Sequence, residues 1–236
     1  MWLTDSWGSW SALYYFDLLD STFKRYPSPA GVTNGLFSEP RLYPSGDGSM
    51  MMVMATNPSS IFPSWRYDTS TDSLTSPSGI PVAYRVSLNA SGSRMLVEWG
   101  SLYDTTSMSL IGKAQSTSAG SVVLSVLSPD GQRVYSLVTA SASSDLIDHV
   151  EVFDANQAVP GTSNLVSLGQ IPVADQAGYC APSSSLSCNW IGGLTISSFG
   201  NTLFWTANER LVVIPIPSSI SGIASAPKTQ LLKARL

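Results

Sequence analysis

The chain has 236 residues, of which 43% are hydrophobic and only 12% are charged, enough for one sizeable domain with a buried core. The net charge of −4, with 12 lysine and arginine residues scattered along the chain, argues against the basic face of a nucleic-acid binder. No apolar run reaches about 18 residues, so we expect no membrane span. The N-terminus also lacks the ordered regions of a signal peptide.

An aromatic residue directly followed by aspartate recurs four times, each time at the end of a short apolar run. The four pairs are Phe16-Asp17, Tyr67-Asp68, Tyr103-Asp104 and Phe153-Asp154. Successive pairs lie about 36 to 51 residues apart, close to the roughly 40–50 residues of a four-stranded propeller blade. The recurrence therefore predicts a repeat architecture. We interpret the aspartates as turn caps, because each follows a strand end.

A glycine that follows a polar turn is the second repeated marker. It occurs at Gly48, Gly92, Gly131 and Gly200. Glycine reaches positive φ without a Cβ clash, so these positions predict hairpins. Strand-like segments begin one or two residues after each glycine, at 50–54, 94–99, 133–138 and 202–206. No run shows the periodicity of a helix, and the chain is therefore predicted to be all-β.

The two markers together divide the chain into units. The predicted units are about 1–34, which is partial, then 35–79, 80–117, 118–172 and 173–217, followed by a C-terminal tail at 218–236. If 2–4 corresponds to 204–206, the first unit lacks its innermost strand. We therefore predict β-propeller-type repeats of four-stranded antiparallel blades, about four to five, forming an incomplete arc of a larger propeller. The missing strands would come from the rest of a longer chain or from a partner; a closed five-bladed ring is the alternative.

Residues 122–154 carry a resemblance to a known group. The turn at 128–131 reads Ser-Pro-Asp-Gly; Arg133 and an alternating strand follow, and a later strand ends in Phe153-Asp154. This pattern resembles the bacterial β-propeller repeats of the YVTN, lactonase-like and TolB-like group. The match is partial elsewhere, since 89–94 keeps the turn and the basic residue and the other units keep less. The group includes enzymes, binding scaffolds and cell-surface proteins, so the resemblance implies a fold and no single function.

Two cysteines, Cys180 and Cys188, have seven residues between them in a serine-rich stretch. This spacing suits a surface loop closed by a disulfide, which would contribute about 2.5 kcal/mol. It does not suit a zinc site, which usually has a closer cysteine pair and two further ligands. Two free thiols are the alternative. If the disulfide forms, the compartment is oxidising, and we expect an extracellular, cell-surface or periplasmic location.

The sequence offers few residues for chemistry. His149 is the only histidine, with Asp148 and Glu151 beside it. Because adjacent residues on a strand point to opposite faces, we do not expect Asp148 to orient His149 as a general base. No Gly-x-Ser-x-Gly motif is present. We therefore predict no catalytic residue, no metal site and no cofactor, and we lean against an enzyme.

Tryptophan and tyrosine at loops dominate many binding hot spots. The tryptophans we single out as ligand-contacting candidates are Trp7, Trp10, Trp65 and Trp190, although packing between blades explains most tryptophans of a propeller. We predict a non-catalytic propeller that acts as an extracytoplasmic binding or scaffold module. It would recognise a protein or glycan through loops such as 5–11, 56–65 and 174–190. The alternatives are a lactonase-like or other hydrolase with its site at the channel mouth, and a β-sandwich or fragment without a separate activity.

Overall fold

A computed structural model describes residues 2–4, 13–16, 18–26, 41–54, 64–76, 85–144, 146–173, 193–207, 210–218 and 230–232. Across these ranges the secondary structure is almost entirely β, with one short 3-10 turn at Glu98–Gly100. The strands are β1 (Trp2–Thr4), β2 (Leu13–Phe16), β3 (Phe23–Tyr26), β4 (Arg41–Pro44), β5 (Met50–Met54), β6 (Trp65–Asp68), β7 (Ser73–Thr75), β8 (Val86–Leu88), β9 (Arg94–Val97), β10 (Ser101–Asp104), β11 (Leu110–Lys113), β12 (Val122–Leu127), β13 (Arg133–Thr139), β14 (Ile147–Ala158), β15 (Leu165–Pro172), β16 (Leu194–Ile196), β17 (Thr202–Ala207), β18 (Arg210–Pro215) and β19 (Gln230–Leu232).

Strands that follow one another in sequence lie side by side in five small sheets of the described residues. The first sheet has three strands, β1 to β3, and each of the other four has four: β4 to β7, β8 to β11, β12 to β15 and β16 to β19. This arrangement confirms the predicted all-β fold of four-stranded antiparallel blades. The chain divides into two compact units, Met1–Ser93 with Asp104–Ser109 and Arg94–Tyr103 with Leu110–Leu236.

Local chemistry explains why the hairpins form where the sequence predicts them. The four marker glycines, Gly48, Gly92, Gly131 and Gly200, have φ values of 72°, 69°, 73° and 71°. A side chain with a Cβ is strained in this conformation. The markers are thus confirmed as turns that need glycine.

Two of the aromatic–aspartate pairs have the predicted role. Asp68, Asp104 and Asp154 each accept, through Oδ1, a hydrogen bond from the backbone N–H two residues further on, at 2.9, 3.0 and 2.8 Å. Asp68 and Asp104 end β6 and β10, and their bonds close the loop after the third strand. Asp154 lies inside β14, which continues to Ala158, so the prediction that it caps a turn at a strand end is wrong. Asp17 lies outside the described residues.

Each unit has its own hydrophobic core. In the first unit, β5 is buried along its whole length, and Met51, Val53 and Trp65 belong to its core cluster. In the second unit, six of the seven residues of β13 are buried, because its β-branched and aromatic side chains pack on both faces of the strand. The sheets are therefore packed on both sides, as blades are.

The last strand lies where the sequence analysis assigned a tail. Residues 230–232 form β19, and Leu231 pairs with Val212 of β18 as the fourth strand of the fifth sheet. The pattern missed it because three residues, one of them polar, are too few to show a strand period and no marker glycine precedes them.

Candidate functional site

The first turn of the fourth sheet is rigid because its own side chains close it. Ser128 Oγ donates to Asp130 Oδ1 at 2.5 Å and accepts the backbone N–H of Arg133 at 2.9 Å. Asp130 Oδ1 also accepts the backbone N–H of Gln132 at 3.0 Å. The Ser-Pro-Asp-Gly sequence thus fixes the turn and sets the direction in which Arg133 leaves it.

A cleft of about 410 Å³ lies between this turn and the first turn of the fifth sheet; we call it the turn cleft. Its lining residues come from both turns: Ser128, Pro129, Asp130, Gln132, Arg133, Tyr135, Ser198, Phe199 and Gly200. The two turns approach closely, since Pro129 Cδ lies 3.6 Å from the position that a Cβ on Gly200 would take. The cleft is a concave surface lined mostly by polar side chains, with one exposed aromatic ring at Phe199.

The turn cleft combines an aromatic surface with two opposite charges. Phe199 is 88% exposed. Burial would raise the pKa of Asp130, but the hydrogen bonds from Ser128 and Gln132 outweigh it and lower that pKa, so the carboxylate is ionised at neutral pH. Arg133 lies near this carboxylate and near Tyr135, a buried residue whose pKa is raised by that burial. The site is therefore amphipathic, with no net charge from its lining side chains.

A second polar cluster lies inside the fourth sheet. β14 places His149 and Glu151 two residues apart on one face, where they are 3% and 0% exposed. Asp148 Oδ2 lies 2.9 Å from His149 Nδ1, so our expectation that Asp148 does not orient the histidine is wrong. The two Cβ atoms diverge, but Nδ1 is the ring nitrogen nearest the main chain, and the half-exposed carboxylate turns back to reach it.

The Glu151 carboxylate is saturated by neighbouring donors. Oε1 accepts the hydroxyls of Thr117 at 2.6 Å and Ser167 at 2.7 Å, and Oε2 accepts the Thr117 backbone N–H at 3.1 Å. Burial raises the pKa of Glu151, but the nearby His149 ring and the hydrogen bonds from Thr117 and Ser167 lower it by more, so the carboxylate is ionised. This carboxylate therefore fastens the segment before β12 to β14 and β15.

His149 is the positive partner of that carboxylate. Burial lowers its pKa, and the carboxylates of Glu151 and Asp148 raise it by more. Its Nε2 lies 3.8 Å from Glu151 Oε2 and has no hydrogen bond within the described ranges. Because His149 and Glu151 are both buried, a substrate in solvent does not reach either group, and the cluster is structural.

The predicted ligand-contacting tryptophans have different outcomes. Trp65 is 0% exposed and packs in the core of the first unit, so its ring presents no surface to a ligand. Trp7, Trp10 and Trp190 lie outside the described residues, and their role stays a prediction. The same holds for the disulfide, whose two half-cystines, Cys180 and Cys188, lie outside the described residues as well.

Sequence reasoning missed two exposed aromatics. Phe199 stands directly before a marker glycine, where the other repeats have the polar residues Asp47, Ser91 and Asp130; an apolar side chain at a polar turn position was the available signal. Trp99 is 62% exposed and has a φ of 62°, which is strained for a bulky side chain. It stands in the tight hairpin between β9 and β10.

Two further properties concern the described part of the chain alone. No cluster there has three or more histidine, cysteine or acidic side chains suited to a metal ion. No helix there has the length and apolar character needed to cross a membrane.

No family model matches the chain, and no curated protein matches it. Solved structures do. The dihydro-heme d1 dehydrogenase NirN in complex with DHE is 14% identical with a TM-score of 0.53, over 91% of this chain and 41% of that one. The complex of KlAtg21 with the coiled coil of AgAtg16 gives 11% and 0.54, over 88% and 59%. The β-propeller domain of Cps50 (Swd1) from Myceliophteria thermophila gives 11% and 0.51, over 98% and 68%.

These similarities define the class of the protein. Identities of 11–14% show the fold alone, and the fold is that of the β-propellers. The chain spans 41% and 59% of the first two structures it matches.

Proposed function

We propose that this chain is a non-catalytic β-propeller module that recognises a protein or glycan ligand through its blade loops. The turn cleft is the described part of that surface, and loops 5–11, 56–65 and 174–190 would add to it. The observation that carries the proposal is Phe199, an aromatic ring that is 88% exposed at the mouth of a preformed cleft. Within the same proposal, the 122–154 pattern assigns the repeats to the YVTN, lactonase-like and TolB-like type.

The physical support for the proposal is the exposure of the Phe199 ring to water. A large apolar group gains nothing from standing in water, and exposed apolar surface rimmed by polar groups marks interaction sites. Aromatic and arginine side chains are the residues that most often dominate binding energy, and the turn cleft has one of each, Phe199 and Arg133. The turns that hold them are closed by their own hydrogen bonds, which limits the entropy lost on binding.

The propeller class also supplies a precedent. KlAtg21, whose fold is similar, has been solved in complex with the coiled coil of AgAtg16. For the present chain this similarity supports a protein partner as one of the two ligand classes. A sequence identity of 11% does not indicate which protein this partner is.

The hydrolase alternative has less support. A general base must lie within hydrogen-bond reach of its substrate. The only histidine, His149, is 3% exposed, and its neighbour Glu151 is 0% exposed. We therefore do not propose the lactonase-like activity.

Ligand arrays test the proposal directly. The labelled chain would be applied to a glycan array and to an array of random peptides. We expect reproducible binding on at least one array, with about a tenfold loss in the Phe199→Ala variant. The matched control is Phe23→Ala, since Phe23 is 60% exposed but stands in the first sheet.

Two results would overturn this function. One is the absence of any binding that depends on Phe199. The other is hydrolysis of lactone or ester substrates that disappears in a folded His149→Gln variant.

The same proposal places the module outside the cytoplasm. Its support is the pair Cys180 and Cys188, whose spacing suits a disulfide. Mass spectrometry of the native chain under non-reducing conditions tests it, and we expect a peptide pair linked through the two cysteines. Two free thiols in protein taken from its natural source would contradict the location.

A further inference from the structure

One position of the repeat directs the side chains of Met50 and Arg94 toward the turn of the following sheet. It is the second residue after the marker glycine, occupied in successive units by Met50, Arg94, Arg133 and Thr202. Two of the four are arginines. Comparing what these two arginines contact shows what the second of them lacks.

The next sheet of the same unit supplies hydrogen-bond acceptors to the guanidinium of Arg94. Its guanidinium donates to the backbone carbonyls of Gly131 at 2.7 Å and Ala155 at 3.3 Å, and to the side-chain oxygen of Asn156 at 2.8 Å. All three acceptors are uncharged amide oxygens. A guanidinium has five N–H donors in a rigid fork, so it recognises such a set of oxygens with a defined geometry.

Arg133 stands at the same position one sheet later, but the next turn supplies no such acceptors to it. The turn it approaches is 197–200, every residue of which the structure describes, and no hydrogen bond joins Arg133 to that turn. Its side chain instead lies near the Tyr135 hydroxyl and the Asp130 carboxylate and lines the turn cleft. Within the described residues the guanidinium makes no hydrogen bond, so its five donors are available to a ligand in the cleft.

We propose that the turn cleft binds a peptide segment of a partner protein. Amide oxygens of the peptide accept hydrogen bonds from Arg133, as the oxygens of Gly131, Ala155 and Asn156 do from Arg94. An apolar side chain of the same peptide packs on Phe199. This inference rests on the proposed function, because it names the ligand class of the same site.

The chemistry of the cleft favours a peptide over the other ligands. An isolated anion is disfavoured because the ionised Asp130 stands beside Arg133 and offsets its charge. Uncharged amide oxygens avoid this conflict, and they are the groups that the chain itself supplies to Arg94. Phe199 adds an apolar contact that a side chain of the peptide fills. The cleft volume of about 410 Å³ is in the usual range for a ligand pocket.

A peptide library provides the test. Random dodecapeptides displayed on phage would be selected on the immobilised chain, and the enriched peptides would be synthesised and titrated by fluorescence polarisation. We expect Arg133→Ala and Phe199→Ala each to raise the Kd about tenfold. Arg133→Lys keeps the charge but loses the fork, and we expect a similar loss.

The controls use side chains of the same kind in the first sheet. Arg25→Ala and Phe23→Ala remove an exposed arginine and an exposed phenylalanine, and we expect unchanged Kd values. All variants are compared by circular dichroism and thermal melting. Because Arg133 and Phe199 lie at the surface, their variants should melt with the wild type.

The outcomes separate this inference from the proposed function. Enriched peptides that bind Arg133→Ala and Phe199→Ala as tightly as the wild type overturn the peptide assignment. Glycan-array binding that is lost in Phe199→Ala, with no such peptide, overturns the assignment and leaves the binding module standing. Failure of both arms overturns both.

Discussion

Two pairs of hairpin turns, one in each unit, have the same local chemistry and different surroundings. In the first unit, the turns 45–48 and 89–92 are closed against each other: the Asp47 backbone N–H donates to the Ala90 carbonyl at 2.8 Å. A Cβ on Gly46 would lie 3.1 Å from Ala90 Cα. In the second unit, the turns 128–131 and 197–200 leave the turn cleft between them. We call these the closed pair and the open pair.

The turn backbone does not cause this difference. Ser45 bonds Asp47 at 2.8 Å, and Ser128 bonds Asp130 at 2.5 Å, so both turns are built alike. The side chain two residues after the marker glycine differs. Met50 is 4% exposed and packs between the turns of the closed pair, whereas Arg133 is polar and lines the turn cleft. Repeated turns therefore fix the scaffold, and one or two positions beside them decide whether a site forms.

The largest expected effect tests how tightly the closed pair is packed. In Gly92→Ala, the new Cβ would lie 2.9 Å from Met50 Cε and 3.1 Å from Ser45 Cβ, at a φ of 69°. We expect a loss of about 2–4 kcal/mol in the free energy of unfolding, since overpacking adds to the left-handed strain.

Gly200→Ala is the matched variant in the open pair. It has the same φ within a few degrees, but its nearest atom, Pro129 Cδ, is at 3.6 Å. Only strain remains, and we expect about 1–2 kcal/mol. Urea denaturation of both variants measures the difference. Equal losses would show that the closed pair is no more tightly packed than the open one.

A smaller effect separates the two arginines. Arg94→Ala removes charge-assisted bonds to Gly131, Ala155 and Asn156, and we expect a loss of about 1–3 kcal/mol. Arg133→Ala removes a partly exposed side chain that makes no hydrogen bond within the described residues and has only a solvent-screened attraction to Asp130, and we expect a loss below about 0.5 kcal/mol. Equilibrium denaturation checks both. A larger loss in Arg133→Ala would mean that its cleft is a structural contact.

Much of the fold was predictable because its signals are local. Gly131 needs positive φ, and Asp68 caps the turn directly after its own strand, so a short window of sequence determines each hairpin. The strand at 230–232 was not predictable in this way. Its three residues become a strand only because β18 offers a free edge.

The candidate site was largely not predictable, because residues that are distant in the sequence form it together. Phe199 belongs to a cleft because Pro129 and Arg133, which stand about 70 residues earlier in the chain, line the same cleft. Trp65 shows the converse, since the residue type that suggested a ligand contact lies in the core. Asp148 shows a third limit: strand alternation places Cβ atoms, whereas a side chain with rotatable bonds can reach back to its neighbour.

The smallest expected effect uses pH to compare the exposed charges of the open pair with the buried charges of the same sheet. The pKa of His149 is raised above its ordinary value of 6.5, so its stabilisation is complete below about pH 6.5 and is lost as pH rises through the folded pKa. The pKa of Glu151 is lowered from 4.5, so its stabilisation is present above about pH 4.5 and is lost as pH falls through the folded pKa.

The pair therefore stabilises the fold most between about pH 4.5 and 6.5. We expect the free energy of unfolding to fall as pH rises above about 6.5 and through the folded pKa of His149, and we expect His149→Gln to remove this part of the decrease. Arg133 and Phe199 line the turn cleft and do not contact this buried pair, so peptide affinity measured on folded protein should not follow the same curve. A His149→Gln variant with the wild-type alkaline decrease would show that the buried histidine is not the group responsible, and the contrast between a buried structural charge pair and an exposed binding pair would fail.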